Sequence, residues 1–226
     1  MAYRRTPEVQ RNLDAKRDRL IESAIALVAE HGYGECSIAA VAQRSEVGTG
    51  TVYRHFANKG ELFAEVFRIV CSREVAAAIA AGTAAHEVHG TYVSSVTASV
   101  ATFAERALRA PTLAYALLAE PVDPQVDAER LLFRESYRNA LAVAIDAAVG
   151  AGEIPPQPAQ ITAACIVGAI GEALILPLAI GNAEPTTVES FLTFTLRSLG
   201  SSYENSVESN TRGLQPGTAA DRLRRG

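Results

Sequence analysis

Apolar residues recur every three or four positions along most of this chain, and this spacing restricts its fold more than any other feature. Leu20, Ala24 and Leu27 share one face of a first helix, predicted over residues 13–31 and ended by Gly32. No stretch alternates apolar and polar residues as a strand does. The sequence therefore predicts an all-α protein.

The same spacing predicts eight further helices, separated by glycine and proline. They are expected over residues 38–44, 49–56, 61–80, 88–109, 112–119, 126–149, 159–180 and 186–199. Ser37 has a side-chain oxygen that can cap the second helix, and Gly82 with Thr83 is expected to end the fourth.

Composition and punctuation divide the chain into four parts. We expect a flexible basic arm at 1–15, a small helical domain at 16–60, a larger helical domain at 61–200 and a disordered tail at 201–226. Because 48% of the 226 residues are hydrophobic, the chain can bury a sizeable core without disulfides.

Charge is distributed unevenly between the two helical domains. The formal net charge is -4, but residues 1–60 hold nine basic and seven acidic residues, whereas residues 61–200 hold eight and fifteen. Exposed charges act over about 8–10 Å at physiological salt. The acidic total therefore does not exclude nucleic acid as a partner of the first 60 residues.

The cysteines and the first residues bear on the compartment. Cys36, Cys71 and Cys165 are too few and too scattered for a disulfide framework or a metal cluster. The first residues lack the apolar stretch of a secretory signal. We expect a cytoplasmic protein without a metal or other cofactor.

Residues 161–181 are almost wholly apolar and are long enough to span a membrane. Glu172 at the centre, Pro177 and the absence of flanking basic residues argue against insertion. We therefore expect a helix buried between protein surfaces, and no membrane partner.

A short helix, a short turn and a second short helix follow one another between Ser37 and Phe56. This helix-turn-helix arrangement offers one helix to the major groove of DNA. Val52 and Phe56 are expected to face the core. The residues left outside can approach phosphates or base edges, and they are Thr49, Gly50, Thr51, Tyr53, Arg54 and His55, with Lys59 at the start of the next helix.

The segment GYGECSIAAVAQRSEVGTGTVYRHFANKGELFAEVF, residues 32–67, resembles the N-terminal DNA-binding domain of TetR-type transcriptional regulators. The resemblance is specific over about residues 15–70 and strongest at TVYRHFANK. It implies a homodimeric repressor with a linking fourth helix and an all-helical domain for effector binding and dimerisation. It also implies phosphate contacts from Ser37, Thr49, Tyr53, His55 and Lys59, and base contacts from Thr49, Gly50 and Arg54.

The turn departs from the family's pattern of Gly, a hydrophobic residue and a Ser cap. This sequence has Glu46, Val47 and Gly48 instead. Glu46 is expected to adopt a backbone conformation that glycine takes more easily, and Gly48 caps without a hydroxyl group. Thr49 is then expected to take over the phosphate contact of the missing serine.

The larger domain is expected to supply a dimer interface and an effector pocket. Helices 159–180 and 186–199 carry small residues, Ala164, Gly168 and Gly171, beside bulky apolar ones, and are expected to form a four-helix bundle with a second copy. The middle helices are expected to enclose a small, hydrophobic effector. The candidate lining residues are Phe67, Cys71, Tyr92, Val96, Phe103, Tyr115, Leu118, Phe133, Arg134, Tyr137 and Glu172.

Two other classes of function stay open at this stage. His86 and His89 could hold a metal in a metal-binding protein or enzyme, although the sequence has no catalytic motif. Cys36, next to the capping Ser37, could make the protein a thiol redox sensor. We favour a non-enzymatic, one-component repressor that a small effector releases from a palindromic operator.

Overall fold

The computed structural model describes residues 7–200, and this range is folded into α-helices without a strand, as the spacing predicts. The helices are α1 (Pro7–His31), α2 (Ile38–Arg44), α3 (Thr49–Tyr53), α4 (Lys59–His89), α5 (Tyr92–Arg109), α6 (Pro111–Leu118), α7 (Pro124–Gly150), α8 (Ala159–Ile180) and α9 (Thr187–Ser198). We refer to α1–α3 as the N-terminal domain and to α4–α9 as the C-terminal domain.

Residues 7–15 do not form part of the flexible arm that was predicted at 1–15. Residues 7–15 belong to α1, because Pro7 is compatible with the first turn of a helix and nothing after it interrupts the helical pattern. The rest of the arm and the predicted tail at 201–226 lie outside the described residues.

The third helix is also shorter than predicted. α3 ends at Tyr53, and Phe56 lies just after the turn that follows, but Val52 and Phe56 are buried as expected. The core of the N-terminal domain is closed by the first turns of α4. Its fully or almost fully buried residues include Leu20, Ala24, Val28, Val41, Val52, Phe56, Leu62 and Phe63.

The fourth helix does not end at Gly82 but continues to His89. A Cβ at Gly82 would lie 2.8 Å from the backbone oxygen of Ser95 in α5, so this glycine permits two helices to approach closely. Gly90, with a left-handed backbone (φ 71°), ends α4 instead, and its N–H donates to the carbonyl of His86.

In the C-terminal domain α4 packs against α5 and α7, while α8 packs against α7 and α6. α6 also contacts α1, so this short helix joins the two domains. The cavity described below lies among α5, α6, α7 and α8.

Only one face of α8 is buried within the subunit. Ile166, Ile170 and Leu174 face the core, whereas Leu176 and Ile180 are exposed, as are most of the small residues. Within residues 7–200, α8 is the one helix long and apolar enough to cross a membrane, with 28% of its apolar window buried. The expected burial on all sides is therefore not achieved by a single subunit.

Candidate nucleic-acid interface

The α2–α3 segment is built by local capping interactions. The hydroxyl of Ser37 accepts the N–H of Ala40 at 3.1 Å and so caps α2. The chain then turns at Glu46, which has φ 57° and is the only non-glycine residue with positive φ in the described range. Gly48 is the N-cap of α3 and has no side chain to donate or accept there. The expected conformation of Glu46 and the cap at Gly48 are confirmed, and the phosphate contact expected of Thr49 stays a prediction.

The two faces of α3 differ as the sequence predicts. Val52 and Phe56 point into the core, whereas Tyr53 on the opposite side is 55% exposed. Thr49, Gly50 and Arg54 are exposed as well, while Thr51 and His55 are half-buried. The exposed face therefore combines hydroxyl and guanidinium groups that can reach a polyanion.

Gly50 is not required by the packing of the protein. Among the described residues, nothing lies within 4 Å of the position that a Cβ would take there. Beside it, the guanidinium of Arg54 donates to the hydroxyl of Thr51 at 3.0 Å, which orients the arginine along α3. An external backbone could therefore approach Gly50 next to an already oriented Arg54.

Basic side chains of α1 also lie near His55, which the sequence analysis did not predict. Desolvation first, and then the positive charges of Arg54, Arg17 and Lys16, lower the pKa of His55 from its usual value. Arg17 is held by Glu65 at 3.2 Å and lies 5.1 Å above the ring of Phe56. The excess of Lys and Arg in the first twenty residues indicated a basic surface, but it could not show which α1 residues lie beside α3.

Lys59 contacts the protein itself. Its ammonium lies 4.2 Å from the ring centroid of Tyr33 and 3.5 Å from that residue's carbonyl oxygen. Asn58 caps α4 by accepting the N–H of Glu61, and the Glu61 carboxylate accepts the N–H of Ala57 at 2.6 Å. The start of α4 and the Lys59 ammonium therefore already have partners within the protein. Phosphate binding by Lys59 stays a prediction.

The C-terminal domain contains a cavity of about 520 Å³ between α7 and α8. Six of the predicted residues line it, and they are Phe103, Leu118, Phe133, Arg134, Tyr137 and Glu172. Seven others complete the lining. Four of them were not predicted for any site, namely Leu131, Glu135, Arg138 and Val167, and three were predicted for the dimer interface, namely Ala164, Gly168 and Gly171.

Five predicted lining residues do not border this cavity. Phe67, Cys71 and Val96 are buried in the core, because α4 packs directly against α5 and α7 and leaves no space there. Tyr92 stacks on His86 with ring centroids 4.3 Å apart, and Tyr115 packs against the core. Helical spacing identifies an apolar face but not whether another helix or a cavity covers it.

The polar groups of the cavity are arginines and glutamates near its rim. The guanidinium of Arg134 lies 3.5 Å from the Leu118 carbonyl oxygen, and that of Arg138 lies 3.6 Å from the carboxylate of Glu135. Deeper in, the Tyr137 hydroxyl donates to the Ser99 carbonyl at 3.1 Å, and burial raises the pKa of this tyrosine. The arrangement suits a molecule with an apolar body and a polar end.

The two alternative sites receive no support from the geometry. Within residues 7–200 there is no group of three or more His, Cys, Asp and Glu side chains that could hold a metal. The buried thiol of Cys36 donates to the Gly32 carbonyl at 3.0 Å, and burial raises its pKa to about 11. That thiol is protonated at neutral pH and is poorly suited to redox sensing.

Comparison with known proteins agrees with this geometry. The model of the tetR family of bacterial regulatory proteins matches residues 20–66. A probable acrEF/envCD operon repressor of Escherichia coli (strain K12) is 41% identical over 51 residues, which are 23% of this chain and 23% of that protein. The chain thus matches about a quarter of the length of this curated relative.

Solved structures extend the likeness of fold to nearly the whole chain. RolR in complex with resorcinol shares 18% identity and a TM-score of 0.67, over 92% of this chain and 98% of RolR. The transcriptional regulator FadR from Bacillus subtilis in complex with stearoyl-CoA shares 15% identity and a TM-score of 0.64, over 80% and 98% of the two chains. Residues 20–66 thus match the tetR family of bacterial regulatory proteins, and the fold of the chain as a whole is that of RolR and FadR.

Proposed function

We propose that this chain is a cytoplasmic, homodimeric repressor that binds a palindromic operator and is released from it by a small amphipathic effector. The observation that carries the proposal is the exposed face of α3. Thr49, Gly50, Tyr53 and Arg54 point outward while Val52 anchors the helix from behind. Such a helix can enter a major groove without disturbing the core.

The phosphate and base contacts are divided along this face. Ser37 and Thr49 lie at two helix starts, where hydroxyls and backbone N–H groups suit phosphate oxygens. Tyr53 and His55 extend the phosphate contacts, and Arg54 is the side chain best suited to a guanine edge.

A second copy of the chain is proposed to cover α8. The exposed residues Ala164, Gly168 and Ala169 allow close approach of another helix, and Leu176 and Ile180 add apolar area. Phe194 of α9, the next helix along the chain, is exposed as well. A two-fold axis through α8 and α9 would present two α3 helices to half-sites about 34 Å apart.

The effector is proposed to occupy the cavity between α7 and α8. Its volume of about 520 Å³ falls within the range of about 300–1,000 Å³ typical of ligand pockets. RolR with resorcinol and FadR with stearoyl-CoA are ligand-bound proteins of the same fold, which supports a ligand here too. To release the operator, the ligand must favour the non-binding arrangement by about 1–3 kcal/mol or more.

DNA selection tests the central proposal. The wild-type protein, the double variant Tyr53→Ala/His55→Ala and the control His89→Ala, at an exposed position on α4, are incubated with random duplexes at one stated salt concentration. We expect the wild type and the control to enrich a two-fold-symmetric site, and the double variant to lose it. A failure of the folded wild-type protein to enrich any site at low salt would refute the proposed function.

A further inference from the structure

The turn between α1 and α2 is held by a carboxylate from the other domain. Glu120, in the connection between α6 and α7, accepts the N–H of Tyr33 at 2.8 Å and the N–H of Gly34 at 2.7 Å. Hydrogen bonds to a charged group are stronger than those between neutral groups. Glu120 therefore ties the C-terminal domain to the segment that leads into the helix-turn-helix.

The two glycines of this turn leave room for the carboxylate. A Cβ at Gly32 would lie 3.0 Å from one Glu120 oxygen, and a Cβ at Gly34 would lie 3.2 Å from the other. Tyr33 between them adds a second tie, because its hydroxyl donates to the carboxylate of Asp123. The Tyr33 ring also packs edge-on against Phe63 of α4, with centroids 5.3 Å apart.

Glu120 is in turn fixed by Arg130 of α7, whose side chain is only 11% exposed. The Arg130 guanidinium donates to the carbonyl of Glu120 at 2.7 Å and to the carbonyls of Ala116 and Leu117 at 3.1 and 2.9 Å. The carbonyls of Ala116 and Leu117 belong to the last turn of α6, where few intrahelical partners are available. The end of α6 and the following turn are thus hydrogen-bonded to α7 as one unit.

The same unit is part of the cavity wall. Leu118, two residues before Glu120, lines the cavity, and so does Arg134, one turn after Arg130 on α7. The cavity and the interdomain tie therefore share a short piece of backbone.

We propose that Glu120 is a positioning residue for operator binding, which fixes the orientation of the helix-turn-helix relative to the C-terminal domain. The inference rests on the proposed function, since orientation matters only if two domains must engage two half-sites together. An N-terminal domain whose orientation relative to the C-terminal domain is not fixed can still bind one half-site. It loses affinity for the paired site, and it distinguishes correct from incorrect half-site spacing less well.

The test compares duplexes that differ only in half-site spacing. The operator selected with the wild-type protein is used intact, with one base pair inserted between its half-sites, and as a single half-site. The proteins are the wild type, Glu120→Ala, Glu120→Gln, Tyr33→Phe and the control Glu105→Gln, which alters an exposed carboxylate on α5. Thermal unfolding of each variant reports whether it is folded.

We expect Glu120→Ala to bind the single half-site as the wild type does, and to lose about tenfold in affinity for the intact operator. Its preference for the intact operator over the lengthened one should fall by a similar factor. Glu120→Gln and Tyr33→Phe should show smaller losses of the same preference, and Glu105→Gln none. A variant that is merely less stable has less active protein on every duplex, which leaves this ratio unchanged.

An unchanged spacing preference in folded Glu120→Ala and Glu120→Gln would overturn the inference. If Glu120→Ala does not fold, Glu120→Gln and Tyr33→Phe decide the question by the same ratio. A wild-type protein that binds one and two half-sites equally well would instead refute the proposed dimeric function. The two failures are thus distinguishable.

Discussion

The N-terminal and C-terminal domains differ in how completely each fills its own interior and covers its own surface. Behind α3 the side chains of Val28, Val41 and Val52 are wholly buried and the exposed face is polar. The C-terminal domain contains a cavity of about 520 Å³ and exposes apolar residues of α8. The first domain is complete as a packing unit, whereas the second leaves a cavity of mixed polarity and an exposed apolar face of α8.

The likeness to other proteins follows the same division. The family model matches only residues 20–66 of the N-terminal half, while RolR and FadR share the overall fold at 18% and 15% identity. A surface that binds DNA is restricted to few side chains. A cavity needs only a suitable shape, so many sequences can build the same helical frame around different ligands.

The largest expected effect tests the difference in packing. Phe56→Ala in the N-terminal core should lower the free energy of unfolding by about 3–5 kcal/mol, because a new cavity forms in a filled interior. Phe133→Ala, which enlarges an existing cavity, should cost about half as much. Urea denaturation measures both, and equal costs would show that the two interiors are equally tightly packed.

A charge on α8 tests whether its apolar surface is covered. Leu176 is 67% exposed within the subunit, and Leu176→Glu should prevent dimer formation and weaken operator binding by about 100-fold. Val88→Glu is the matched control, because Val88 is 76% exposed and lies at the end of α4. Sedimentation velocity should give a monomer for the first variant alone.

Cys165 offers a second readout of the same surface. It is exposed on α8, whereas Cys36 and Cys71 are buried. A maleimide should therefore label Cys165 faster in Leu176→Glu than in the wild type. Dimers that persist in Leu176→Glu, with unchanged labelling, would contradict the proposed interface.

Backbone strain in the N-terminal domain provides a smaller effect. Glu46 adopts φ 57°, a region that glycine enters without a steric penalty. Glu46→Gly should therefore raise the free energy of unfolding by about 0.5–1 kcal/mol. Glu46→Ala removes the carboxylate but keeps the Cβ, and an equal gain in that variant would attribute the effect to charge instead.

The smallest expected effect is a pH dependence of operator binding. Desolvation and the positive charges of Arg54, Arg17 and Lys16 lower the pKa of His55 in the free protein. A nearby phosphate favours the charged imidazolium, so the pKa rises in the complex and binding takes up a proton. Affinity should therefore increase about threefold as the pH falls from about 8 to about 6.

His55→Gln should remove most of this pH dependence, whereas His31→Gln, at an exposed position in the last turn of α1, should keep it. Fluorescence anisotropy at constant ionic strength measures the affinities. If the pH dependence of affinity persists in His55→Gln but disappears in His31→Gln, then His31, and not His55, takes up the proton on binding.

Local signals predicted most of the fold. Caps, glycines and apolar spacing are properties of neighbouring residues, so α2 was predicted at its observed bounds and the turn at Glu46 was anticipated. Gly82 misled the prediction for α4, since the same residue can end a helix or allow a close crossing. Only the position of α5 distinguishes the two.

Candidate sites were predictable to the extent that they are local. The outward face of α3 follows from the spacing of Val52 and Phe56. The contact of Glu120 with Tyr33 joins residues 87 positions apart, and Lys59 turns toward that tyrosine and not outward. Six of the predicted lining residues border the cavity and five do not. Periodicity identifies buried faces, but it does not show where helices separate.

The close crossing at Gly82 lies far along α4 from the end that enters the N-terminal domain. A helix rises about 1.5 Å per residue, so Lys59 at its first turn lies about 35 Å along the rod from this crossing. A tilt of α4 by about 5° about this crossing would displace Lys59 by about 3 Å. With such a long arm, displacements of a few tenths of an ångström near the crossing would be magnified several-fold at its far end.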